Sequence, residues 1–195
     1  MKKRVVVTGL GVVSAVGNNI PEFWSALIEG KDGTKEITVF DASPYRTKHA
    51  AEVSHFDPEE RFSKKEIRRL SRCDQFGLVA FREAWGSSNL DQYPVDKKKA
   101  GVILGAGSGG ILSVEKYFRD FYRGRKKPSP SLLISYSLAT TTDLIAIEGG
   151  FGGPRSTTAT VCSSSSVSLA VAYEMIQMGL ADLMVSGGSD SLCEV

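Results

Sequence analysis

One of the three cysteines stands where chemistry is plausible on position alone. Cys162 lies between a Thr-rich, strand-like run at residues 157–161 and a helical pattern that begins near Ser163. A helix start presents unpaired amides and a partial positive charge, and both favour a thiolate. The small residues Ser163 to Ser166 let a carbonyl substrate approach the backbone, and the amide of Cys162 itself can donate to a developing oxyanion. The chemistry this suits is nucleophilic attack by the thiolate on a substrate carbonyl. A cysteine that merely fills a small core gap, with the serines as a capping feature, would leave the same trace.

A second motif is Gly105-Ala106-Gly107-Ser108-Gly109-Gly110. It satisfies G-x-G-x-x-G between a strand and a helix, so a dinucleotide-binding Rossmann domain is an alternative. The acid that such a site needs about 20 residues further on is missing from residues 129–133. Two basic clusters complete the set. Residues 61–72 hold Arg61, Lys64, Lys65, Arg68, Arg69 and Arg72 against Glu66, and residues 116–127 hold Lys116, Arg119, Arg123, Arg125, Lys126 and Lys127 against Asp120. Each reads as a solvated helix face or as a docking patch for an acidic partner.

Strands and helices must alternate to position these residues. Val5-Val6-Val7 predicts a buried opening strand at residues 4–8. Pro21 starts a helix ending at Gly30, and residues 31–58 form a polar surface excursion that carries the only two histidines, His49 and His55. A helical pattern follows from Ser63 to Asn89, then a buried strand at residues 100–104 and a helix from Ile111 to Tyr122. Residues 135–147 read as helix, 155–161 as strand, 163–178 as helix and 181–186 as a last strand ending in Gly187-Gly188. This alternation predicts an α/β layered domain with a largely parallel sheet. The helix after Cys162 is apolar enough to be buried on nearly every side, and covering it takes more layers than these residues supply.

Composition narrows the class. The 195 residues are 42% hydrophobic and 24% charged with 20 glycines, and 24 basic against 22 acidic residues leave a net charge of +2. Bulk charge predicts neither nucleic-acid nor membrane binding. The cysteines form no CxxC or metal-like spacing, so no metal site is expected and a reducing, cytoplasmic setting is the default. The apolar run after Met1-Lys2-Lys3-Arg4 is too short for a signal peptide or a spanning helix, which predicts a soluble protein.

Residues 153–165, GPRSTTATVCSSS, closely resemble the active-site segment of the β-ketoacyl-acyl-carrier-protein synthases, the decarboxylating condensing enzymes of fatty-acid and polyketide synthesis. Three further segments agree in order: the opening Arg4-Val5-Val6-Val7-Thr8-Gly9-Leu10-Gly11, the glycine turn at residues 105–110, and Gly179-Leu180-Ala181-Asp182 followed by Gly187-Gly188. Val161 departs from the family, which usually has alanine beside the cysteine.

The resemblance implies a thiolase-like layered fold, of which residues 1–195 are the N-terminal half, with the nucleophile on a buried helix N-terminus. It implies that Cys162 takes an acyl group from acyl carrier protein, and that the acyl-enzyme then condenses with malonyl carrier protein. Ser108 would lie at the acyl pocket, where the family often carries a larger apolar gate. Lys65, Arg68 and Arg69 with Arg125, Lys126 and Lys127 would dock the carrier. No metal or redox cofactor is implied, since the acyl groups ride on the carrier's phosphopantetheine. The family's condensing step also uses two histidines and a lysine from its second half. His49 and His55 match neither, so the resemblance implies an amino-terminal fragment, a split subunit or a truncated sequence that could at most be acylated by itself, with a homodimer or pairing with a missing C-terminal half as the expected assembly. A non-catalytic partner subunit is the alternative, and Cys162 argues against it.

Overall fold

The computed structural model describes residues 3–124 and 127–194. In chain order the elements are α1 (Ile20–Ile28), a short antiparallel pair β1 (Lys35–Glu36) and β2 (His49–Ala50), α2 (Lys64–Ile67), α3 (Arg72–Ser87), β3 (Ala100–Gly105), α4 (Ile111–Arg123), α5 (Thr140–Gly149), β4 (Arg155–Thr158), α6 (Ser164–Gln177) and β5 (Leu183–Gly188). The parallel sheet has the order β4-β3-β5, with Val102 opposite Arg155 on one side and Val185 on the other. All six residues of β3 are buried, as a central strand covered on both faces requires. Helices α3 and α5 pack together, and α5 and α6 pack on the sheet. The core is built from Phe62, Leu78, Phe81, Val102, Leu104, Ile145 and Phe151 among others.

Four expectations are corrected. Residues 4–8 form no strand: Val6 and Val7 are 70% and 79% exposed, and among the described residues the run pairs with neither β4 nor β5. An apolar run becomes a strand only where a ladder partner receives its amides and carbonyls. Here the segment is held at its ends instead. The Gln177 side chain donates to the Lys3 carbonyl, and the backbone at Gly11 lies so close to the Ala80 carbonyl that a Cβ there would stand 1.9 Å from it.

The expected helix from Ser63 to Asn89 is two helices. Ser63 and Ser71 are extended, and each starts a capping box, with Glu66 and Asp74 respectively. Asp74 also reaches beyond its own helix. Its buried carboxylate accepts from the Ser71 amide (2.8 Å) and hydroxyl (2.6 Å), the Ser135 hydroxyl (2.5 Å) and the Thr141 hydroxyl (2.8 Å), which ties α3 to α5 and to the turn before it.

The excursion at residues 31–58 is only partly a surface feature. Ala42 and Phe56 are buried, and the Arg72 guanidinium lies 4.7 Å and 4.9 Å from the ring centres of Phe56 and Phe76 while donating to the Val53 carbonyl at 3.1 Å. Finally, α6 buries one narrow stripe, Ser164, Ser168 and Ala172, spaced four apart. Its other flank, including Leu169 and Tyr173, is exposed because nothing among the described residues covers it. No helix among the described residues is long and apolar enough to cross a membrane.

Candidate active site

The small stripe of α6 lets the helix sit hard against the sheet. A Cβ on Gly105, at the end of β3, would stand 2.3 Å from the backbone of Ser164 and Ser165. Ser168 donates to the Gly187 carbonyl (2.6 Å), fixing the next turn of α6 to β5. Between β4 and α6 the chain turns in five residues, 159–163. The Thr158 hydroxyl donates to the Ser164 carbonyl (2.9 Å), the Thr160 amide donates to the Ser164 hydroxyl (2.9 Å), and that hydroxyl lies 2.8 Å from the Val161 carbonyl.

The turn is strained. Val161 has φ +56°, a left-handed conformation that β-branched residues rarely adopt. Such a residue costs about 1–3 kcal/mol and persists only where its surroundings fix it. The Ser163 and Ser164 hydroxyls do so, with Ser163 donating to the Thr160 carbonyl at 2.9 Å.

Cys162 sits at the middle of the single 3-10 turn Val161–Ser163 and is exposed. Two sequence expectations change accordingly. The strand ends at Thr158 rather than Val161, and the cysteine stands one short turn ahead of α6 in the open rather than on a buried helix terminus. Ser163 is the N-cap of α6 but makes no side-chain cap bond, so the positive pole of a 14-residue helix is not capped by it. An accessible thiol on a rigid turn beside that pole is suited to attack a thioester carbonyl.

The other cysteines differ. Cys193 is half-buried. Cys73 is buried, its thiol donates to the Ser189 carbonyl at 3.2 Å, and burial pushes its pKa up from 9.0 to about 11. The unfolded chain therefore loses this proton first as pH rises, and folded-state stability declines between pH 9 and 11. The full loss is expected to be about 2–3 kcal/mol. Urea unfolding below pH 9 and near pH 11, compared between the protein and Cys73→Ala, should show a shallower alkaline decline in the variant.

The glycine turn does not serve phosphate. The amides of Gly107, Ser108 and Gly109 donate to the Asp190 carboxylate at 2.8, 2.9 and 2.7 Å. The donors that a pyrophosphate would require are thus occupied by the chain's own anion, which overturns the Rossmann alternative. Ser108 is half-buried and its hydroxyl donates to the Ser191 carbonyl (3.0 Å). Sequence reasoning missed Asp190, because nothing in the residues around it signals that it lands 83 positions back on the glycine turn.

The two basic clusters meet. Arg68 and Arg69, just past α2, and Lys116 of α4 with Lys127 line one cleft of about 590 Å³, together with Asp120 and Ser113. Lys65 is exposed on α2 but outside this lining. Arg125 and Lys126 lie outside the described residues. His49 is exposed in β2, and His55 lines a separate cleft with Lys31 and Lys35. Neither cleft lining includes Cys162.

Comparison with known proteins bears on the family and the fold. The sequence profile described as "Beta-ketoacyl synthase, N-terminal domain" matches residues 2–195. The 3-oxoacyl-[acyl-carrier-protein] synthase 2 of Coxiella burnetii is 37% identical over 190 residues, covering 97% of this chain and 46% of that protein. Its counterpart from Staphylococcus aureus is 33% identical with the same coverage. The chain thus spans about half the length of the curated relatives it matches. Among solved structures, the ishigamide ketosynthase/chain length factor superposes with a TM-score of 0.89 at 24% identity, over all of this chain and 49% of that one. AntDE:AntF, a type II polyketide acyl-carrier protein in complex with its ketosynthase, gives 0.80 at 25% identity, over 98% of this chain and 53% of that one.

Proposed function

The chain belongs to the β-ketoacyl synthase family, as its N-terminal domain, and from that premise we propose that Cys162 is the acyl acceptor of a 3-oxoacyl-[acyl-carrier-protein] synthase. The fold is the thiolase-like one that family membership carries. The observation that supports the reading most is the exposed Cys162 on its strained turn between β4 and α6. The Cys162 sulfur attacks the carbonyl of an acyl-carrier thioester while the new oxyanion accepts from the backbone. The bond to the carrier sulfur then breaks, and the carrier leaves as a thiol with the proton that Cys162 gave up. Nucleophile and leaving group are both sulfur, so exchange is near thermoneutral. In elongation, the carbanion formed by decarboxylation of malonyl carrier protein would attack this thioester and extend the chain by two carbons.

The residues for that second step are proposed to lie in the other half of a ketosynthase, since His49 and His55 stand on the 31–58 excursion and the cleft that His55 lines does not include Cys162. By themselves, then, these 195 residues stop at the acyl-enzyme. Mass spectrometry after incubation with acyl carrier protein is expected to show one acyl group on Cys162 and none on Cys162→Ser. No 3-oxoacyl product should form when malonyl carrier protein is added. Product from this chain alone overturns the division of labour, and an unmodified Cys162 identifies the chain as a non-catalytic partner subunit instead.

Carrier docking is proposed at the cationic cleft, on Arg68, Arg69 and Lys127 with Lys65, Arg125 and Lys126 around it. The convergence of two basic segments on one cleft supports the place, and AntDE:AntF, a ketosynthase in complex with its acyl-carrier protein, supports a carrier as the partner. Reversing Arg68 and Arg69 to Glu is expected to raise the carrier dissociation constant about tenfold at low salt, an effect that shrinks as salt screens the charges. Titration calorimetry at two ionic strengths checks both. Ser108 is proposed to border the acyl pocket. A cytoplasmic homodimer, or pairing with a second half, is proposed to cover the apolar flank of α6 and the open edge of β4.

A further inference from the structure

Residues 189–191 cross the glycine turn as a strap. The Ser189 amide donates to the Gly105 carbonyl (3.2 Å), the Asp190 carboxylate accepts from the three consecutive amides of Gly107, Ser108 and Gly109, and the Ser191 hydroxyl donates to the Gly109 carbonyl (2.9 Å). Consecutive amides converging on one carboxylate form an anion nest with charge-assisted bonds. Beside the nest the turn has the Ser108 hydroxyl on the Ser191 carbonyl (3.0 Å), while Gly107 and Gly109 carry no side chains and Gly109 has φ +56°.

What the nest fixes leads directly to the cysteine. Ala106, the residue before it, donates its amide to the Thr158 carbonyl at 3.0 Å, and its carbonyl lies 3.3 Å from the Ser164 hydroxyl, whose nearer acceptor is the Val161 carbonyl at 2.8 Å. The same Ser164 hydroxyl holds the Thr160 amide and faces the Val161 carbonyl, the two residues whose dihedrals aim Cys162.

We propose that Asp190 is a positioning residue for acylation: its carboxylate locks the glycine turn, and through Ala106 and Ser164 that turn holds Val161 left-handed and Cys162 presented. The proposal rests on the reading of Cys162 as acyl acceptor. Without the carboxylate, three amides turn to water, the glycines relax, and the Cys162 turn loses its backing.

The test compares the protein with Asp190→Ala and Asp190→Asn, following acyl transfer from acyl carrier protein and iodoacetamide labelling at each cysteine by mass spectrometry. Acylation of Cys162 is expected to slow about tenfold in Asp190→Ala and less in Asp190→Asn, which keeps one acceptor oxygen. Formate, a carboxylate small enough to enter the vacated nest, should restore the Ala variant. Cys73 reports on the strap itself, since its thiol is sealed against Ser189. Slowed acylation with Cys73 still unlabelled and rescue by formate supports the proposal. Unchanged acylation overturns it, and so does slowing that comes with Cys73 labelling, which would make Asp190 a structural seal. If the unsubstituted protein takes no acyl group on Cys162, the reading beneath the proposal fails first.

Discussion

Gly105→Ala is expected to cost about 3 kcal/mol or more and to remove the reactivity of Cys162 together with that stability. The added methyl would stand 2.3 Å from the Ser164 carbonyl carbon and the Ser165 amide nitrogen, distances at which backbone has to move. Both surfaces are rigid. On one side is a fully buried central strand, and on the other the first turn of α6, already anchored by Thr158 and Ser168. Relief comes only by lifting the start of α6 off the sheet, and that lift takes the Val161–Ser163 turn with it. Urea denaturation gives the stability loss and iodoacetamide labelling the loss of presentation. A variant of native stability with native labelling at Cys162 would show that this contact is softer than its geometry.

Asp74→Ala is expected to cost about 3–5 kcal/mol and to act on the fold without touching the cysteine turn. The substitution leaves a buried amide and three hydroxyls, from Ser71, Ser135 and Thr141, without their acceptor. The Ser71 amide keeps only the longer contact to the Ser135 hydroxyl (3.3 Å) and Thr141 only the Cys73 sulfur (3.5 Å), and water reaches this position poorly because Asp74 is 1% exposed. The helix cap at Ser71 and the link from α3 to α5 fail together. Asp74→Asn should be milder, since one oxygen remains for the shortest contact. Thermal unfolding of the two variants ranks them, and equal melting temperatures would argue that the carboxylate's charge and second oxygen do nothing.

These two sites also show what the residues disclosed in advance. The apolar strand β3, the amphipathic α4 and the serine-rich start of α6 were readable, because each is encoded by local pattern and flanking glycine. The position of Cys162 at a strand-to-helix junction followed from them, while the family came from the resemblance of residues 153–165 and the three segments collinear with them. The opening strand failed because Val5-Val6-Val7 states only that a run is apolar, whereas a ladder is a property of two segments. The break at residues 68–71 was written in the sequence as two Ser-x-x-acid boxes, but the surrounding helical pattern outweighed them. The left-handed Val161 and the reach of Asp190 had no local signal. One is imposed against the residue's own preference, and the other depends on a contact that closes over 83 residues.

That long closure bears on how the protein is made. Strand β3 is complete by residue 105, yet one of its two neighbours begins at residue 183, and the carboxylate that settles its glycine turn is residue 190. At a synthesis rate of about 5–20 residues per second, some 80 residues correspond to about 4–16 s on the ribosome. Through that interval a six-residue apolar strand has emerged with an unsatisfied edge, the condition under which nascent chains pair wrongly with one another. Slowing translation between residues 105 and 183 should therefore lower the soluble yield, and a holdase that shields extended apolar segments should restore it.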